Sequence, residues 1–178
     1  QVLVVTLNKS ISSIVLIGMP GAGKSTIGVL IADNLGLNFV DTDKSIEREC
    51  GKPIQELLDQ SDYQAVRAVE EAVLLKEYAQ KKVVSTGGSA VYSSAGMAHL
   101  TANAVTVFLD VDINELTRRI KDFNTRGIVR KPGQSLTELF AERRELYLRY
   151  ADIRIDCSGH DIEECLRQVI TATRPYIS

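Results

Sequence analysis

Short apolar runs rich in β-branched residues recur along the chain at 14–17, 38–40, 83–85, 105–109 and 153–156. Between them, apolar residues return every three or four positions. Residues 26–35 bring Ile27, Leu30, Ile31 and Leu35 to one helical face. Residues 63–78 do the same with Val66, Val69, Val73 and Leu74, and residues 136–150 with Leu136, Leu139, Phe140, Leu146 and Tyr147. A closing helix is expected over 161–173 with Asp161 as its N-cap. Buried strands alternating with amphipathic helices predict βαβ units. The expectation is a three-layer α/β/α domain around a central, mostly parallel five-stranded sheet. At 178 residues the chain fits one such domain. Residues 1–12 read as an N-terminal extension, either an added edge strand or a disordered tail. Residues 121–135 (KDFNTRGIVRKPGQS) are polar and aperiodic, and read as a mobile loop between two helices.

Composition narrows the function classes. Hydrophobic residues make up 44% and charged residues 25%, ordinary values for a globular domain. A net charge of −2 gives no reason to expect nucleic acid as a partner. No apolar run approaches the roughly 18 residues that cross a bilayer, and the first residues carry no basic leader, so neither a membrane span nor a secretory signal is expected. Cys50, Cys157 and Cys165 show no CxxC spacing and read as isolated thiols in a reducing cytoplasm. His99 and His160 are too few for a zinc site and read as ordinary loop or surface residues.

The chemistry begins directly after the first strand-like run. Gly18-Met19-Pro20-Gly21-Ala22-Gly23-Lys24-Ser25 matches G-x-x-x-x-G-K-[ST]. A wrapped phosphate needs successive backbone N–H groups turned inward, and side chains would block that approach. The helix that follows adds the positive end of its dipole. Gly21, Ala22, Gly23, Lys24, Ser25 and Thr26 are therefore the candidate nucleotide-binding residues. In this pattern Lys24 reaches the β- and γ-phosphates and the Ser25 hydroxyl holds Mg²⁺. The cofactors expected are ATP and Mg²⁺.

Further signals lie downstream. Asp41 and Asp43 stand two residues apart at the end of the second strand, at the carboxyl edge where ligands sit in open α/β folds. One carboxylate suits Mg²⁺ through water and the other the orientation or deprotonation of a hydroxyl; either also suits a helix N-cap. Arg67 and Arg143 fall on amphipathic helices, where an arginine is ordinarily a solvated surface residue, and Glu70 and Glu71 are spaced to pair with Arg67. Gly87-Gly88-Ser89 follows a buried strand and reads either as close backbone approach to a ligand or as a plain turn.

This ordered set resembles the shikimate kinases, small P-loop kinases of the nucleoside-monophosphate-kinase-like fold. The likeness rests on the P-loop, Phe39-x-Asp41-x-Asp43, Arg67-x-x-Glu70-Glu71, the glycine turn, a lid at about 121–135, and Arg143 in Arg-x-x-Leu-Tyr. The resemblance implies that Asp43 bonds the substrate hydroxyls and assists deprotonation, and that Asp41 goes with Mg²⁺. It implies that Arg67 and Arg143 grip a carboxylate, and that the amides of Gly87 and Gly88 touch the substrate. Arg119 would lie near the adenine and Arg126 would cover the transferring phosphate, with Arg130 the other candidate for that lid role. The implied reaction is ATP-dependent phosphorylation of the 3-hydroxyl of shikimate, by a cytoplasmic monomer. The alternatives are a related kinase acting on another small hydroxylated carboxylate, or a kinase-like binding protein without turnover. Two departures fall on the acceptor side: Ser89 where the family usually has a third glycine, and Arg126-Gly127-Ile128-Val129 where its lid usually reads Arg-Pro-Leu-Leu. Loss of the proline is expected to loosen the lid backbone.

Overall fold

A computed structural model describes residues 3–4, 11–77 and 80–177. Five strands form the parallel body of the sheet: β2 (Ser13–Ile17), β3 (Asn38–Asp41), β4 (Lys82–Ser85), β5 (Ala104–Asp110) and β6 (Ile153–Asp156). A two-residue strand, β1 (Leu3–Val4), pairs antiparallel with β6 and makes the order β1-β6-β5-β2-β4-β3. Of the two readings of the N-terminus, the edge strand is therefore the one seen at residues 3 and 4; residues 1, 2 and 5–10 lie outside the described residues. Every residue of β2 and β5 is buried, as parallel strands covered on both faces must be.

Helices connect the strands: α1 (Lys24–Leu35), α2 (Thr42–Cys50), α3 (Ile54–Gln60), α4 (Tyr63–Lys76), α5 (Ser94–Thr101), α6 (Ile113–Arg119), α7 (Leu136–Tyr150) and α8 (Ile162–Thr173). No helix among the described residues is long and apolar enough to cross a membrane. The periodic helices stand where the apolar spacing puts them, with α4 ending at Lys76 and residue 78 lying outside the described residues. Asp161 caps α8 by accepting from the Glu164 N–H at 2.8 Å. The short helices α3, α5 and α6 are too brief to show a period.

One buried face differs from expectation. On α1 the inward stripe is Ile27, Gly28, Ile31 and Ala32, while Leu30 is turned outward. The cause is Gly28: a Cβ there would stand 2.6 Å from the Phe39 ring and 3.3 Å from Leu16. The helix settles onto the sheet at its smallest residue.

The apolar interior has two parts. The larger surrounds the sheet and includes Ile128; the smaller, between α2, α3 and α4, is Ile46, Ile54, Val66, Val73 and Val129. Residues 121–135 carry no helix or strand, yet they reach into both parts. The loops after β2, β3, β4 and β6 all leave from the carboxyl edge of the sheet, which is where the site forms.

Candidate active site

The P-loop leaves β2 with Gly18, Gly21 and Gly23 at φ +147°, +81° and +93°. A Cβ on Gly18 would stand 2.7 Å from the Leu109 carbonyl oxygen, so the start of the loop lies against β5 as closely as glycine permits. Lys24 opens α1 and is 7% exposed. Its ammonium donates to the Gly18 and Met19 carbonyls at 2.8 and 2.9 Å. Burial lowers its pKa to about 8, partly offset by Asp43.

Asp41 ends β3 and does two jobs. Its Oδ1 caps α2 by accepting from the N–H groups of Asp43 and Lys44, and its Oδ2 accepts from the Ser25 hydroxyl at 2.6 Å. The N-cap and the metal-side placement are thus compatible. Asp43, in the first turn of α2, has its pKa pushed up to about 6 by burial and by the neighbouring Asp41. Gly87 explains the close approach of α2 and α4. A Cβ there would lie 2.3 Å from Asp43 Oδ1 and 2.8 Å from Glu70 Oε1. The Gly87 N–H is engaged by Thr42 Oγ1 at 2.9 Å, so this glycine makes room for carboxylates and binds α2. Gly88 serves the other side, where a Cβ would meet Arg143 Nη1 at 2.7 Å, and its carbonyl accepts from the Tyr147 hydroxyl at 2.6 Å.

A cavity of about 390 Å³ joins these parts. Gly21, Gly23, Lys24, Ser25 and Thr26 line one end; Asp43, Glu70, Gly88, Ser89 and Arg143 line the other; Arg119 and Arg126 stand at its wall. Ala22, Asp41, Gly87 and Arg67 do not line it. Ala22 is buried beneath the loop. Arg67 belongs to an adjoining hollow that shares Glu70 and Ser89 with the cavity. It is not the solvated arginine of an (i, i+3) pair: its guanidinium lies 3.5 Å from the Tyr92 ring centroid and 5.0 Å from that of Tyr63, and its Nε and Nη2 are buried without hydrogen-bond partners among the described residues.

Arg143 is the most unusual group. It is 1% exposed. Its Nη2 donates to the Val129 carbonyl of the lid; among the described residues its Nε has no hydrogen-bond partner and no carboxylate stands within ion-pair distance of it. A buried guanidinium left so is costly unless an anion completes it. Of the two lid arginines, Arg126 faces the cavity and Arg130 does not. Arg130 stacks 4.4 Å from the Phe123 centroid and donates to Asn124 and the Gln134 carbonyl at 2.8 and 2.9 Å, bracing the lid internally.

Sequence reasoning missed Glu70 as a site residue. It is 3% exposed, its pKa is pushed up to about 7 by burial, and the Ser89 hydroxyl, which donates to it, works against that rise. The available signal was its place between Val66 and Val73 on the apolar face of α4. Also missed was a second hollow, where Arg119 and Thr26 meet the turn after β6, including His160, Asp161 and Ile162. Arg119 reaches it while donating to the Gly21 carbonyl at 3.1 Å. Cys157 and Cys165, expected to be isolated, line this hollow together, because α8 doubles back over the end of β6; burial raises both thiols. His99, expected in a loop or on the surface, is half-buried on α5.

Comparison with known proteins gives the family. The family model described as shikimate kinase matches residues 20–174. A shikimate kinase of Persephonella marina is 32% identical over 91% of this chain and 99% of its own length. One of Mycobacterium avium is 36% identical over 88% of this chain and 90% of its own. The solved shikimate kinase from Acinetobacter baumannii in complex with shikimate superposes with a TM-score of 0.82 at 24% identity, covering 94% of this chain and 95% of that one, which speaks for the fold. A nucleotide loop facing an acidic and guanidinium pocket, and a family match over nearly the full length, place this chain in the shikimate kinase family.

Proposed function

We infer that the chain catalyses ATP-dependent phosphorylation of the 3-hydroxyl of shikimate, releasing shikimate 3-phosphate and ADP. The observation that carries this is Arg143, a buried cation that no carboxylate among the described residues meets at ion-pair distance, across one cavity from the phosphate loop. A planar carboxylate satisfies a guanidinium fork, and a small polyhydroxy acid fits the space. We assign the grip on the carboxylate to Arg143, with Arg67 in support from the adjoining hollow.

The P-loop amides and Lys24 would cradle the nucleotide phosphates, and Arg119 would flank the base in the second hollow. Asp43 would accept a hydrogen bond from the attacking hydroxyl and hold it in line with the γ-phosphorus. Its pKa of about 6 keeps it ionised at neutral pH while leaving it a better base than a free carboxylate. Arg126 would cover the transferring group, and the lid would exclude water. Ser25 Oγ and Asp41 Oδ2 lie 2.6 Å apart, a pair of hard oxygens suited to a divalent cation that keeps water and phosphate ligands. They would hold Mg²⁺, Asp41 through water, and the ion would neutralise charge on the phosphates.

The test is steady-state turnover with Mg-ATP, following ADP, on shikimate and a panel of other hydroxylated carboxylates. Saturable turnover with shikimate, with phosphate found on the 3-oxygen by NMR, is expected. Turnover confined to another acid would reassign the acceptor, and nucleotide binding without turnover on any acid would refute the kinase reading.

A further inference from the structure

The lid is held to the acceptor side by a side chain that does not itself line the cavity. The Gly127 N–H donates to Gln55 Oε1 at 2.9 Å, and the Gln55 amide is fixed at its other end, where Nε2 donates to Asp59 Oδ1 at 2.7 Å. Both groups of the amide are therefore engaged, which settles its orientation. Gly127 has φ +70°, and a Cβ on it would meet the Gln55 backbone nitrogen at 3.0 Å and Ile54 Cβ at 3.3 Å. Only glycine lets the lid backbone lie this close to α3 in this conformation. The next two residues, Ile128 and Val129, are 7% and 6% exposed. The residue before is Arg126, in the cavity wall. A proline at 127, usual in the family, would have no N–H to give.

We propose that Gln55 is a positioning residue: its side-chain carbonyl latches the lid at Gly127 and thereby places Arg126 over the transferring phosphate. The absence of the proline does not leave the lid slack; it exposes a backbone donor that α3 captures. The ion pair Arg126 makes with Asp122 at 3.6 Å is internal to the lid, whereas the Gly127–Gln55 bond ties the lid's N-terminal half to α3. The consequence for catalysis rests on the phosphotransfer reading above; the latch itself does not.

The experiment compares wild type, Gln55→Leu and the exchanged pair Gln55→Glu with Asp59→Asn, in the full chain. In the exchanged pair, the amide now at position 59 donates to one oxygen of the carboxylate now at position 55. The other oxygen accepts from Gly127, so the latch is rebuilt. Amide hydrogen exchange over residues 121–135 is measured first. Gln55→Leu should exchange roughly two- to tenfold faster at the peptide holding Gly127, and the exchanged pair should return toward wild type. In turnover, Gln55→Leu should lower kcat roughly tenfold with the KM for ATP unchanged, and raise ATP hydrolysis without acceptor relative to transfer. The exchanged pair should restore both. Wild-type exchange in Gln55→Leu would overturn the latch; faster exchange with unchanged kcat and unchanged coupling would overturn its role toward Arg126. If wild type turns over no shikimate, the functional reading fails, and the exchange comparison still decides the latch.

Discussion

At the scale of the residue, the site is built from charges held where water does not reach. Arg143 carries the largest consequence. Arg143→Lys keeps the charge but loses the fork, and should raise the KM for shikimate roughly ten- to a hundredfold, with the KM for ATP within about a factor of two. Initial-rate kinetics with each substrate varied in turn would reveal it, and an unchanged KM for shikimate would remove Arg143 from the acceptor. Ser89 makes a second, independent case. Glu70 faces Asp43 from α2, Arg143 from α7, and Arg67 on its own helix, and Ser89 donates to it. The bond favours the charged carboxylate, so Ser89→Ala should push the Glu70 pKa higher still and move the acidic limb of kcat/KM to higher pH. A pH–rate profile that does not shift would mean Glu70 does not titrate in the reaction. Residue chemistry was the most legible level: the P-loop, Asp41 and Asp43 stand in the sequence as spaced residue types, whereas Arg143 took its meaning only from the family resemblance. Glu70 and Ser89 were harder to see, because their meaning comes from each other, nineteen positions apart.

At the scale of the element, position depends on a few small residues and caps. Gly28 brings α1 against Phe39 and Leu16. Gly28→Ala gains helix propensity of about 1 kcal/mol but forces an overpacked contact costing about 1–3 kcal/mol. The net expectation is a lower urea midpoint with an unchanged slope. An upward shift of the midpoint would show that Phe39 simply swings aside. Helix α7, which carries Arg143, begins with a capping box in which Ser135 and Glu138 satisfy each other's backbone N–H groups. Ser135→Ala should cost about 1 kcal/mol of stability, measured by denaturant unfolding, and leave the KM for ATP alone. Periodicity located α1, α4, α7 and α8, since each repeats its apolar face over several turns. It could not orient α1, because the closest contact is made by a residue with no side chain.

At the scale of the whole molecule, two buried carboxyl groups couple stability to pH. Burial holds Asp43 near 6 and Glu70 near 7. Between the ordinary carboxylate range, about 4, and those values, the folded chain keeps protons that the unfolded chain has released. Unfolding free energy therefore falls as pH rises through that window and levels above about 7. Thermal unfolding at a series of pH values should show this slope, and Asp43→Asn with Glu70→Gln should flatten it; an equal slope in the double variant would mean these groups are not its source. The sheet order could be anticipated only as parallel, since pairing between β2 and β5, some ninety residues apart, leaves no local trace. The contact of residue 127 with residue 55 is hidden for the same reason.

Ile128 and Val129 are consecutive, yet they sit in separate apolar interiors, one around the sheet and one among α2, α3 and α4. A single dipeptide thus stitches the phosphate half of the protein to the acceptor half. Lifting residues 128 and 129 away from the body would withdraw both side chains in one movement, at about 1.5–3 kcal/mol each if fully rehydrated. For this segment opening is then the uphill direction and closing the downhill one, so two neighbouring aliphatic groups bias it toward the shut arrangement.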